Sequence, residues 1–82
     1  MRRAFFTLVH EGYDVEVFRT LKGVCKAVAT LELSLSDDEE RPVCTAAMVR
    51  KALKKDYIVR LYCVDNKGDW LYRIETHQAY AD

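Results

Sequence analysis

The chain has 82 residues, 50% of them hydrophobic, and its 13 basic and 13 acidic residues cancel to a net charge of zero. That is room for one domain, residues 1–82, too apolar for disorder yet small enough to bury only about 60 to 65% of its unfolded surface, so pairing as a homodimer would strengthen it. Net charge cannot draw it to nucleic acid, no apolar run approaches the roughly 20 residues of a membrane helix, Met1, Arg2 and Arg3 lead into no signal-peptide core, and Cys25, Cys44 and Cys63 form no disulfide framework, which together point to a reducing, cytoplasmic setting.

Residues 3–10 and 13–19 are β-branched and aromatic runs separated by Glu11 and Gly12, the signature of a hairpin. A two-residue loop pairs His10 with Tyr13, Leu8 with Val15 and Phe6 with Val17 on one face. It sets Thr7 against Glu16 on the other, with Phe5 and Phe18 as an aromatic patch there. Thr20 then caps a first helix running to about Leu31, in which Leu21, Val24, Cys25 and Val28 form one apolar stripe. Gly23 in its first turn costs up to about 1 kcal/mol relative to alanine.

Residues 34–43 break the pattern. Ser36 and Glu39 have capping-box spacing, which predicts a single acidic turn through Asp37, Asp38, Glu39 and Glu40 before Pro42 stops it. Thr45 is a second cap, and residues 46–55 are rich in strong helix formers, with lysines near the end where cations suit the helix dipole. Residues 57–64 and 70–75 then make a second hairpin around Gly68, in which Val59, Leu61 and Cys63 alternate with Arg60 and Tyr62. On its second strand Trp70, Tyr72 and Ile74 alternate with Leu71, Arg73 and Glu75, and residues 76–82 read as a loose end.

The order β-β-α-α-β-β predicts an α+β fold: one antiparallel sheet built from two hairpins, with both helices on one face. The competing arrangement is a winged helix, in which the 57–75 hairpin is the wing and Arg60, Lys67 and Arg73 flank the second helix.

The most informative cluster is Arg50, Lys51, Lys54 and Lys55, on one side of a helix whose other side is Met48, Val49, Ala52 and Leu53. The stretch in which a strand ends at Phe18 and a helix starts at Thr20, followed by a helix that starts at Thr45 and ends in Lys54 and Lys55, resembles the helix-turn-helix modules of phage and mobile-element proteins, including the short repeats attached to homing nucleases. The resemblance spans residues 18–55. It implies a small regulatory protein that binds double-stranded DNA, reading sequence with Thr45, Ala46, Arg50 and Lys51 and touching the backbone with Lys54 and Lys55. The family joins its helices by a turn of about three or four residues. Here a longer segment intervenes, and its four acids repel phosphate.

That acidic segment supports an alternative: a protein-binding phage inhibitor of a host nucleic-acid-processing or defence complex, anti-CRISPR-like. It would dock through Asp37, Asp38, Glu39 and Glu40 and an aromatic sheet surface drawn from Tyr13, Tyr57, Tyr62, Trp70, Tyr72 and Tyr80. Catalysis finds no support. His10 and His77 lie far in sequence from every cysteine, the cysteines and histidines fit no compact metal spacing, the acidic run reads as solvated rather than as an acid/base pair, and three glycines make no phosphate loop. The expectation is a non-enzymatic binding domain without metal or cofactor.

Overall fold

A computed structural model of the chain describes residues 2–65 and 71–80, with the side chains of 4–65 and 71–78. In chain order the elements are β1 (Arg2–His10), β2 (Val15–Phe18), α1 (Leu21–Thr30), β3 (Leu33–Ser34), α2 (Ala46–Lys55), β4 (Ile58–Cys63) and β5 (Tyr72–Tyr80). The strands form one five-stranded antiparallel sheet in the order β2-β1-β5-β4-β3, so the first and last strands are neighbours at its centre. The expected α+β fold, with two hairpins in one sheet and both helices on one face, is what the chain adopts.

Alternation sorts the sheet's side chains into two sets. Phe6 and Leu8 of β1, Val59 and Leu61 of β4 and Ile74 of β5 are buried, and they meet Val24, Cys25 and Val28 of α1 and Val49 and Leu53 of α2, with Leu33 and Cys44 closing the core. The residues between them, Phe5, Thr7, Val9, Arg60, Arg73, Glu75 and His77, turn to a face that no helix covers. Both helices begin as the threonines predict, for the Thr20 hydroxyl accepts the Gly23 N–H at 3.0 Å. A Cβ on Gly23 would stand 2.9 Å from that hydroxyl oxygen, so the glycine that weakens the first turn also admits its cap.

Several expectations give way to the structure. The first hairpin is one residue out of the expected register: Phe6 pairs with Phe18, Thr7 with Val17 and Leu8 with Glu16. The cause is the turn. Gly12 adopts φ 79°, the Tyr13 N–H donates to the His10 carbonyl and the His10 N–H donates to the Asp14 carbonyl, which lengthens the loop beyond two residues. Residues 76–80, expected to be loose, continue β5 and pair with β1 as far as Arg2 opposite Tyr80. A two-residue strand, β3, was not expected; it pairs with the end of β4. The acidic segment is a turn rather than a short helix, the Ser36 hydroxyl accepting the Asp38 N–H at 3.1 Å.

Candidate functional site

The helix layer is the surface to which the basic residues lead. On α2, Val49 and Leu53 are buried, and at about 100° per residue the opposite side presents Arg50, Lys51, Lys54 and Lys55, all exposed. Lys54 and Lys55 lie in the last turn, where the helix dipole favours cations. Thr45 caps the exposed start of α2, as expected. Its hydroxyl accepts the Met48 N–H at 3.2 Å while its own N–H meets the Met48 sulfur at 3.5 Å, a capping box closed by methionine.

Two further cations belong here that sequence reasoning misses. Lys22 and Lys26 are exposed, one turn apart on α1, away from the buried Val24 and Val28. The available signal was an absence: neither LKGVCKAVAT nor AAMVRKALKK contains an aspartate or glutamate. Lys22, Lys26 and Arg50 line a groove of about 380 Å³ between the helices together with Cys25, Ala46 and Ala47. Burial pushes the Cys25 thiol up, an effect the Arg50 charge partly offsets, and burial raises Cys44 as well. Both thiols are buried in the core.

Arg60 and Arg73, also expected on this surface, do not join it. Arg60 and Arg73 sit opposite one another on β4 and β5, on the face away from the helices. The wing arrangement is thereby excluded, because β5 is the central strand and β4 its neighbour rather than a projecting hairpin. Lys67, Gly68 and Trp70 lie outside the described residues. Nor do the helices form a tight helix-turn-helix unit, since residues 31–45, including β3, run between them.

Asp37, Asp38, Glu39 and Glu40 are exposed, and among the described residues none pairs with a cation of α2. Their backbone is held instead: Arg41 donates to the carbonyls of Asp37 at 3.2 Å and Asp38 at 3.1 Å, and to that of Cys63 on β4 at 3.0 Å. The guanidinium also lies over the Tyr62 ring, 5.5 Å from its centroid. Of the expected aromatic anchors, Tyr13 and Tyr57 are exposed, whereas Tyr62 and Tyr72 are half-buried.

The open sheet face carries a polar chain that was not expected. Arg73 Nε donates to Glu75 at 2.7 Å and its Nη1 to Glu11 at 3.3 Å, Thr7 Oγ1 lies 3.4 Å from Glu75 and 2.9 Å from His77 Nε2, and the His77 ring stacks on Phe5 at 4.8 Å. The Arg73 guanidinium holds the Glu75 carboxyl below its ordinary value. The sequence signal for this chain was the period-two placement of Arg73, Glu75 and His77 on one strand.

Comparison with protein-family models, curated proteins and solved structures returns no match. Among the described residues no three histidine, cysteine or acidic side chains gather as a metal cluster, and no helix is long and apolar enough to cross a membrane.

Proposed function

We propose that the protein binds double-stranded DNA through the outward faces of α1 and α2, with phosphate contacts supplying most of the attraction. One observation carries this reading: in a chain of zero net charge, Lys22, Lys26 and Arg50 line one groove between two helices whose own residues include no carboxylate, and Lys51, Lys54 and Lys55 extend the positive charge along α2. Among the described residues the acids lie outside the two helices, with Asp56 at the C-terminal cap of α2. Contact with the backbone suits this surface better than base reading by an inserted helix, because α2 opens on Thr45, Ala46 and Ala47, with the Thr45 hydroxyl engaged in its cap. The phage or mobile-element setting implied by the helix-turn-helix resemblance belongs to this proposal.

Titration of a labelled duplex at several salt concentrations tests it. Replacing Lys22, Lys26, Arg50 and Lys51 with alanine is expected to weaken binding and to flatten the log–log salt dependence by about 0.9 for each phosphate that is no longer neutralised. Absence of any salt-sensitive binding at low ionic strength by the intact protein overturns the reading.

A second reading has its own support. The face opposite the helices leaves Val15 and Val17 on β2 and Ile58 on β4 more than half exposed, and the tethered acidic segment has no ion pair with the α2 cations among the described residues, so a protein partner has surface to dock on, as an inhibitor of a host complex would. Capture of a host complex that survives nuclease treatment, and is lost when Asp37, Asp38, Glu39 and Glu40 are reversed to lysine, favours this second reading over the first.

A further inference from the structure

The two edges of the sheet are finished differently. On the β3 side the edge strand has two residues with buried side chains, and the Cys44 N–H donates to the outward Leu33 carbonyl at 2.8 Å. On the other side stands β2, where Val15 and Val17 are each 62% exposed and Glu16 is exposed between them. The His10 N–H donates to the Asp14 carbonyl, so the alternation of an antiparallel ladder turns the N–H and C=O groups of Glu16 and Phe18 toward β1 and those of Val15 and Val17 outward. An exposed row of this kind is a template for a further strand.

Charge decides which strand fits. In the two-fold antiparallel register that pairs Val15 with Val17 of a second copy, Glu16 stands directly opposite Glu16, and like charges in that position are destabilising. Asp14, exposed, adds negative charge to the same end of the hairpin, and neither Asp14 nor Glu16 has an ion-pair partner among the described residues. We propose that β2 accepts an extended peptide segment of a partner protein in which apolar residues alternate with lysine or arginine. Main-chain hydrogen bonds run to Val15 and Val17, the apolar side chains lie beside these valines on the open face, and the basic ones lie beside Glu16 on the helix side.

Fluorescence anisotropy with labelled peptides tests this directly. A short peptide of alternating valine and lysine is expected to bind about tenfold more tightly than one of alternating valine and glutamate, and to slow hydrogen exchange at the Val15 and Val17 amides. Val17→Pro removes an outward donor while leaving the ladder to β1 intact, and is expected to abolish binding in a protein whose circular dichroism is unchanged. Glu16→Lys covers the case in which the proline variant does not fold: it is expected to reverse the preference between the two peptides. Equal binding of the two peptides, undiminished binding by folded Val17→Pro, or an unreversed preference in Glu16→Lys overturns the proposal. So does concentration-dependent dimerisation of the peptide-free protein that protects the same two amides, which would give the edge to a second copy. DNA binding by the helix layer is scored separately and is not at stake in these outcomes.

Discussion

Neighbouring residues on β5 have opposite fates. Ile74 is fully buried beneath the helices, while Arg73 and Glu75 on either side of it form the polar chain of the open face. The same division runs through β1, where Phe6 and Leu8 enter the core and Phe5 stacks on His77, and through β4, where Val59 and Leu61 are buried and Arg60 is exposed. One face holds the domain together by excluding water; the other faces water and carries the polar chain. In so small a domain this separation lets the open face and its edge change with little effect on stability.

The largest test of this division is a pair of substitutions. Ile74→Ala is expected to cost about 2 to 5 kcal/mol in urea unfolding, whereas Val17→Thr on the open face should stay within about 0.5 kcal/mol. Similar losses from the two would break the comparison. A smaller effect is expected where the covering layer is anchored: Thr45→Ala should cost about 1 kcal/mol by removing the α2 cap, a loss visible in thermal unfolding without DNA.

The smallest effect belongs to the polar chain and is confined to acid. Because the folded state holds the Glu75 carboxyl below its ordinary value, its contribution is complete above that value and is lost as pH falls through the lowered one. Glu75→Gln should therefore flatten the acid limb of a stability profile measured from pH about 7 to 3. At neutral pH it should change little beyond the loss of a part-exposed ion pair.

Most of the architecture was legible because apolar periodicity is strong where burial is one-sided. The stripe of Val24, Cys25 and Val28, the Thr20 and Thr45 caps, and the alternation through Val59, Leu61 and Ile74 all appear as the residues predict. What escaped depended on tertiary partners. β3 is too short to show a period, and residues 76–80 become a strand by pairing with β1, since Thr76 and Gln78 carry no apolar signal. The hairpin register turned on the conformation of Gly12, which spacing alone does not reveal. For the candidate site, the α2 cations were legible from helical spacing, but Lys22 and Lys26 meet Arg50 only through the side-by-side packing of α1 and α2. Arg60 and Arg73 do not share that surface, and the strand period, applied from Val59 and Ile74, already places them on the opposite face.

The placement of β5 has a consequence for how the chain reaches this state. β1 must remain without its inner neighbour until a segment more than sixty positions later arrives, because Arg2 meets Tyr80 and His10 meets Tyr72. Such distant closure raises contact order and retards assembly relative to a helical domain of similar size. A nascent chain would thus hold the first hairpin and α1 together with a half-finished apolar surface, and only the last strand, sliding between β1 and β4, would complete the sheet in one cooperative step.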